Sequence, residues 1–503
     1  MNEKVKFLVI KEDSALGLKN IINNWKYVNE ISKTTLFPFF LQPYESLTNH
    51  KSISLFQNAI EFKNYIDLNK IGKTELFSIE FTDEELTFLK PWIKNSIYLN
   101  SFFYGRNFFS DVTESDLINY CKICALYYKK VFERFKPLEI IDIECDNLLR
   151  AVLDIICRRF KIKYTILINT RIDNYAIKAK GVLDPFPLAE LKNKLKNIKT
   201  PKDFRNIIDK HSYLADEKIF DKKNDQFTIL SALQINIKQS FYHLKRIIKS
   251  QRLSNKYSVG LKGLLLGFKI TYIKWLWFKS YRFLFNKNFV SKRHEKFKYK
   301  YYKNEKFFYF PLGQIIEGAD PIFSGSYNND LEALDQAIKS IPVNKKLLIK
   351  EHRSMIPERP IYQTKLIDSL NSIFLTGKEL IVVNSKINPV RFINDSLGVL
   401  SLSGSCLTEA MILKKPVFIF GKPWLRVVSA LLGFDPWSQP NALDLFFSES
   451  RKFIIPEVIS EKIISLSIIY GFPISLYKLK KYGDKNSNIN NEKLNLLIKF
   501  IND

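Results

Sequence analysis

The stretch SLSGSCLTEAMILKKPVFIFG, residues 401–421, decides the fold that the sequence predicts. The apolar residues Val399 and Leu400 lead into it and indicate a strand. The turn SGS follows, then a helical pattern through CLTEAMILKK, and then the strand-like run VFIFG. A strand, a helix and a second strand with short joins are typical of a parallel sheet that is covered by helices.

The same rhythm extends on both sides of this stretch. Strand-like runs occur at residues 5–10, 138–144, 163–169, 307–313, 345–352 and 380–384. Because a chain of 503 residues is too long for one hydrophobic core, we expect separate domains. We therefore predict an α/β protein with two Rossmann-like domains. The predicted limits are 1–185 for the N-terminal domain, 186–305 for a basic helical insertion, 306–440 for the C-terminal domain and 441–503 for C-terminal helices.

Positive charge is concentrated in the predicted insertion. The chain carries a formal net charge of +27, and residues 236–306 hold nineteen Lys or Arg against two acidic residues. Aromatic residues alternate with these cations in YIKWLWFKSYRFLF and FKYKYYKNEKFFYF. An anionic membrane surface and a solvated connector are equally good interpretations. Nucleic acid ranks below both, because no zinc finger, RNP-type or helix-turn-helix pattern accompanies the charge.

The five cysteines are odd in number and irregularly spaced, so a disulfide framework is not expected and a reducing compartment is favoured. Cys121 and Cys124 form a single C-x-x-C without a second pair or a nearby His, so we predict no metal site. The N-terminal apolar run is too short for a secretion signal, and no apolar stretch is long enough to span a membrane. We expect a cytoplasmic protein, and peripheral association with the inner face of the cell membrane stays open.

Polar side chains follow the predicted strands of the C-terminal domain, at the edge where α/β proteins bind ligands. Ser403, Gly404 and Ser405 form one such turn. Glycine allows a ligand to approach closely, and serine hydroxyls with the N–H groups of the next helix can bind a phosphate. Glu409 follows one helical turn later, where it could accept hydrogen bonds from ribose hydroxyls. The alternative is that Ser405 only caps the helix and Glu409 is a first-turn acid favoured by the helix dipole.

Two further polar groups follow strand-like runs. The sequence KEHR places Lys350, His352 and Arg353 at the end of KKLLIKEH. Lys350 and His352 are two residues apart, so in a strand they share a face and could both bind a phosphate. Glu317 follows FFYFP and could act as a base or bind a sugar hydroxyl. An ordinary polar strand end remains the alternative for the first group.

Three segments of the C-terminal domain together resemble the bacterial capsule polysaccharide biosynthesis proteins, a family that includes Kdo-transferring glycosyltransferases. They are FPLGQIIEGADPIF, NNDLEALDQAIKSIPVNKKLLIKEHRSMIPERPIY and LSGSCLTEAMILKKPVFIFGKPW. The resemblance implies a GT-B fold, in which two Rossmann-like domains face a cleft and the C-terminal one binds a nucleotide-sugar donor. Such enzymes usually need no metal, so the resemblance implies no cofactor. A CMP-linked donor stays open.

The resemblance also implies roles for individual residues. His352 and the serine turn would bind the donor phosphate, and Glu317 would lie near the transferred sugar. His352 and Glu317 are therefore the implied catalytic residues. The family usually has His-Pro where this chain has His352-Arg353, which adds a candidate phosphate contact. The implied donor-binding positions, with Glu409 on the ribose, are Lys350, Arg353, Ser403, Gly404, Ser405 and Glu409.

The sequence thus predicts transfer of a sugar from a nucleotide-sugar donor to a growing capsule or lipopolysaccharide glycan. Glu317, or one of the acids Asp142, Glu144 and Asp146, would deprotonate the acceptor hydroxyl. One alternative is a non-catalytic basic protein that binds a glycan or nucleic acid on a degenerate GT-B fold. Another is a different enzyme that shares the turn, such as a sugar-nucleotide epimerase or a polyol-phosphate transferase.

Overall fold

The computed structural model describes two β-sheets and the helices that cover them. The described residues are 6–9, 36–37, 79–102, ten single positions of a helical stretch between 114 and 133, 139–143, 148–173, 175–182, 186, 188–196, 198–216, 306–313, 327, 330–350, 379–383 and 389–473. Strands are numbered β1–β11 and helices α1–α10 below, each in chain order. The predicted mixture of helices with parallel strands is confirmed.

The first sheet has the strand order β11-β5-β4-β3-β1-β2. Strands β1 to β4 are parallel, whereas β5 and β11 extend the sheet in antiparallel pairing. Three of the predicted strand-like runs form β1, β3 and β4. The strand bounds are β1 Lys6–Val9, β2 Leu36–Phe37, β3 Glu139–Ile143, β4 Lys163–Asn169, β5 Tyr175–Lys180 and β11 Phe472–Pro473.

The second sheet has the order β10-β9-β6-β7-β8, and all five strands are parallel. Its first strand in the chain, β6, lies at the centre, with β7 and β8 added on one side and β9 and β10 on the other. This is the order of a doubly wound sheet, and the direction of winding reverses between β6 and β9. The bounds are β6 Phe307–Pro311, β7 Lys346–Lys350, β8 Glu379–Val383, β9 Gly398–Ser401 and β10 Val417–Ile419.

Among the described residues, ten α-helices have defined bounds. In the N-terminal part they are α1 Asp83–Phe102, α2 Leu148–Arg159, α3 Leu188–Leu195 and α4 Phe204–Asp216. Around the second sheet they are α5 Asp330–Ser340, α6 Pro389–Asp395, α7 Ser405–Ile412, α8 Trp424–Leu431, α9 Ala442–Ser448 and α10 Glu457–Tyr470.

Aromatic rings close both faces of the second sheet. On one face, Phe392 of α6 contacts Tyr309, with the ring centroids 5.6 Å apart. On the other, Phe446 of α9 contacts Phe308, with the centroids 5.3 Å apart. Because both faces are covered, strands β6, β7, β9 and β10 are buried almost without interruption, as parallel strands in α/β proteins usually are.

The two sheets are joined by helices that pass from one to the other. Helix α4, which follows the first sheet in the chain, packs against α6 and α7 of the second. Helix α10 packs against α4 and leads back to β11, which pairs with β5 in the first sheet. The ring of Trp424 contacts Phe186, and its indole N–H donates to the Ser467 hydroxyl at 2.8 Å. The predicted domain limits stay predictions, but residues 186–216 and 442–453 clearly contribute to packing at the second sheet.

Within the described residues, no helix is long and apolar enough to cross a membrane. Residues 236–305 of the basic, aromatic-rich segment lie outside the described residues, and its predicted role stays a prediction.

The link between α10 and β11 leaves no room for a side chain at Gly471. A Cβ atom at this position would lie 2.1 Å from the backbone oxygen of Ser467, so Gly471→Ala forces the backbone to move. We expect a loss of roughly 1–3 kcal/mol in the free energy of unfolding, the usual cost of overpacking. Gly433→Ala is the control, because no atom lies within 4 Å of a Cβ there and only its positive φ of 83° is strained. Urea unfolding measures both, and a smaller loss for Gly471→Ala than for the control would contradict the clash.

Candidate functional site

The serine-glycine turn lies at the point where the second sheet reverses its winding. Strand β9 ends at Ser401, and its neighbour β6 ends at Pro311. The turn Ser403-Gly404-Ser405 then leads directly into α7. In open α/β sheets, this crevice between the carboxyl ends of two diverging strands is the usual place for a ligand.

The amino end of α7 has no side-chain cap. Gly404 is the N-cap residue, with φ −68° and ψ 159°, and no described side chain makes a capping hydrogen bond there. The alternative that Ser405 caps the helix is therefore wrong: Ser405 is the first helical residue, and its hydroxyl donates instead to Glu409 Oε1 at 3.3 Å. An uncapped helix end offers N–H groups and a positive dipole end to an anion.

The turn is packed tightly around Gly404. A Cβ atom there would lie 3.1 Å from Cys406 Sγ and 3.2 Å from Ser401 Oγ. The Gly404 N–H also points at the Ser401 hydroxyl, at 3.4 Å. A larger residue at 404 would have to displace these neighbours, so the close backbone approach that glycine permits is used here.

Glu409 and Lys350 form the charged part of the site. Lys350 is the last residue of β7 and is only 8% exposed. Burial raises the pKa of the partly buried Glu409 carboxyl, while the Ser405 hydrogen bond and the positive charge of Lys350 act against that rise. The predicted residues from α7 and from β7 thus lie close enough to interact electrostatically. The serine turn and Lys350 come from stretches more than fifty positions apart in the chain.

Asp330 is a site residue that the sequence reasoning missed. It begins α5, is 2% exposed, and its Oδ2 accepts the Gly313 N–H at 2.6 Å. Burial raises its pKa to about 6, and the Gly313 hydrogen bond opposes that rise. Its charge also acts on the buried Cys406 thiol. Asp330 therefore lies beneath the turn and fixes the backbone just after β6.

Tyr309 and Cys406 were also missed. Burial raises the pKa of the Cys406 thiol, and the charges of Glu409 and Asp330 raise it further. Tyr309 is fully buried in β6, and burial, together with Cys406 and Glu409, raises its pKa well above the usual value. The only sequence signal for Tyr309 is that it stands alone among phenylalanines in FFYFP.

The remaining predicted site residues lie outside the described part of the chain. These are Glu317, His352 and Arg353, together with Glu144 and Asp146 of the first sheet. Asp142 is described as a backbone position of β3, paired with Ile166. In the described residues no group of three or more His, Cys, Asp or Glu could hold a metal ion. Cys121 is buried and free, and Cys124 is outside the described set.

No protein-family model matches the sequence, and no curated protein matches it. Among solved structures, the chain is similar to KpsC, a β-Kdo 2,7-transferase of Thermosulfurimonas dismutans, at 11% identity over 77% of this chain and 88% of that one, with a TM-score of 0.31. It is similar to S. aureus MnaA in a co-structure with UDP, at 10% identity over 95% and 94%, with a TM-score of 0.30. It is also similar to the Methanocaldococcus jannaschii UDP-GlcNAc 2-epimerase in complex with UDP-GlcNAc and UDP, at 10% identity over 93% and 100%, with a TM-score of 0.28.

The chain is thus similar, at low identity, to a sugar transferase and to nucleotide-sugar epimerases.

Asp330 should make thermal stability depend on pH. Its folded pKa of about 6 lies above the ordinary 3.8, so the folded state keeps a proton that the unfolded chain releases in between. Stability contributed by the protonated form is therefore present at low pH and is lost as the pH rises through this window. Asp330→Asn cannot ionise, so we expect its Tm to match the wild type near the lower pKa and to exceed it by a few degrees above the upper one.

Calorimetry across this pH range measures the effect. Asp335→Asn on the exposed side of the same helix is the control and should keep the wild-type slope. An unchanged slope in Asp330→Asn would show that Asp330 titrates normally.

Proposed function

We propose that the protein is a glycosyltransferase of the GT-B type that moves a sugar from a nucleotide-sugar donor to the glycan of a growing surface polysaccharide. The observation that supports this most directly is the uncapped amino end of α7 at the switch point, with a buried lysine on one side and a carboxylate one turn along. These groups match a nucleotide: N–H groups and a cation for phosphate, and a carboxylate for ribose hydroxyls.

The assignment of roles follows the chemistry of each group. The first-turn N–H groups of α7, that of Ser405 among them, and the hydroxyl of Ser403 would bind the donor phosphate, with Lys350 balancing its charge. Glu409 would accept hydrogen bonds from the ribose, held in place by Ser405. His352 and Arg353 would add to the phosphate side.

The reaction needs stabilisation of a leaving phosphate. The bond between the anomeric carbon and the phosphate oxygen breaks, the electron pair stays on the phosphate, and the acceptor oxygen bonds to the anomeric carbon. N–H groups and Lys350 would stabilise the developing charge. The acceptor proton would pass to a carboxylate, either Glu317 or one of the acids at the end of β3. No metal ion or cofactor is part of this proposal, and the donor, CMP-linked or otherwise, is a substrate.

The acceptor side of the proposal depends on the charge of the chain. A net charge of +27 favours an anionic partner, and a charged glycan or a glycolipid in an anionic membrane surface both meet that condition. We therefore propose a cytoplasmic enzyme that works at the inner face of the cell membrane.

Donor binding is tested with Lys350→Gln. A screen of CMP-, UDP-, GDP- and TDP-linked sugars by thermal shift should identify a nucleotide that raises the Tm of the wild type. Lys350→Gln should lower the affinity for that nucleotide by about tenfold or more, because a charge-assisted contact to phosphate is lost. Lys346→Gln, at the opposite end of β7, is the matched control and should bind as the wild type does.

Two results would count against the proposal. One is that no nucleotide sugar protects the wild type. The other is that both lysine variants lose protection equally, which would place the nucleotide away from the carboxyl end of β7.

Transfer itself is tested by product analysis with the donor found in that screen. We expect a new glycosidic product only when a capsule or lipopolysaccharide acceptor is present, with release of one nucleotide per bond formed. Conversion of the donor sugar without an acceptor would instead identify an epimerase. Binding without turnover under either condition would favour the non-catalytic glycan-binding protein.

A further inference from the structure

The hydroxyl of Tyr309 has no evident structural reason to be there. Strand β6 reads FFYFP, and the rings at positions 307 to 310 are all at most 1% exposed. Three of the four are phenylalanines, which need no hydrogen-bond partner. The hydroxyl of Tyr309 has none among the atoms of the described residues. Burying an unpaired hydroxyl costs about 1–3 kcal/mol, so a phenylalanine would serve the core better.

The position of the hydroxyl connects it with the candidate site. Tyr309 faces the side of the sheet covered by α6, since its ring packs against Phe392. Helix α7 packs against α6 and β9 on the same side. Burial is the main cause of the raised pKa of Tyr309, and Cys406 and Glu409 of α7 also contribute, which is consistent with a hydroxyl on the side of the sheet that α7 covers. Buried polar atoms without a partner frequently mark a functional role.

Glu409 has one hydrogen bond in this structure, from Ser405 to Oε1. Its second oxygen, Oε2, accepts none from the protein groups described. A carboxylate that must grip a sugar hydroxyl in one orientation needs support from more than one direction, because a single long contact of 3.3 Å leaves it free to rotate. A buried phenol beneath it is a suitable second donor, since O–H donors to carboxylates form short and strong hydrogen bonds.

We propose that the Tyr309 hydroxyl donates a hydrogen bond to the Glu409 carboxylate when a nucleoside ribose occupies the site, and so positions Glu409 for the ribose hydroxyls. Tyr309 is a positioning residue in this scheme: it touches Glu409 and not the ligand. The inference rests on the proposed function, because it takes the ligand to be a ribonucleotide. It goes further by assigning the site's selectivity for ribose to a residue outside the turn and the helix.

The test uses isothermal titration to compare the affinity for a ribonucleotide with the affinity for its 2′,3′-dideoxy analogue. The base is the one that the donor screen identifies, in UDP, CMP or GDP. If the screen identifies TDP, which contains deoxyribose, UDP and its dideoxy analogue are used instead. Wild-type protein should bind the ribonucleotide more tightly than the dideoxy analogue. Tyr309→Phe should lose about tenfold for the ribonucleotide and nothing for the dideoxy analogue. Tyr128→Phe is the control. It also removes the hydroxyl of a buried tyrosine, but in the part of the chain that precedes the second sheet, and it should change neither affinity.

A double-mutant cycle with Glu409→Ala, which leaves no acceptor for the tyrosine, shows whether the tyrosine acts through the glutamate. If it does, Tyr309→Phe has no further effect in the Glu409→Ala background. Additive losses would overturn the proposal, because Tyr309 would then contribute independently of Glu409.

The remaining outcomes separate the two proposals. If the wild type binds ribonucleotides and Tyr309→Phe binds them equally well, the positioning role is wrong while the proposed function stands. A Tm for Tyr309→Phe far below the wild type would show a structural partner for the hydroxyl and would also overturn the inference. If the wild type binds no nucleotide at all, the proposed function fails and this inference fails with it.

Discussion

The pairing of β6 with β9 is the constraint on which the rest of the structure depends. Phe308 lies opposite Gly398, and Tyr309 lies opposite Val399, so two strands that are separated by about ninety positions end side by side. Gly398 makes this pairing compatible with a closed core, because a Cβ there would lie 2.7 Å from the ring of Phe446. Without this register, the serine turn and the backbone after β6 would not meet.

The groups that meet there show why burial matters more than charge count. Asp330 and Glu409 are both acids with raised pKa values, and desolvation is the largest cause in each case. Two acids and a lysine lie in a desolvated environment here, so a bound ion or ligand would change their pKa values strongly. Glu409 accepts a hydrogen bond from Ser405, and the buried Tyr309 hydroxyl has no partner among the described residues.

Local sequence predicted the turn, the strands and the neighbourhood of Ser405 and Glu409, because these depend on spacing within one strand–turn–helix unit. It left open whether Ser405 caps α7, since the choice between Gly404 and Ser405 depends on backbone angles that one residue can change. It missed Asp330 and Tyr309 for a different reason. Each lies in an ordinary-looking stretch, and its importance arises only when a distant residue, Gly313 or Glu409, is brought against it in a dry environment. Burial of that kind is a property of the assembled sheet and leaves no local pattern.

Helix α4, from outside the second sheet, supports the helix that begins at the serine turn. Helix α7, whose amino end forms the turn, packs against α6 and also against α4, which belongs to the chain before the basic segment. Helix α10, from after the sheet, packs on α4 in turn. Helix α7 is therefore supported by a helix from before the second sheet, and a fragment limited to residues 306–440 would lack that support. Any movement that changes how α4 lies on α7 acts on the helix end where the phosphate is proposed to bind, which gives the N-terminal part of the chain a physical route to the proposed donor site.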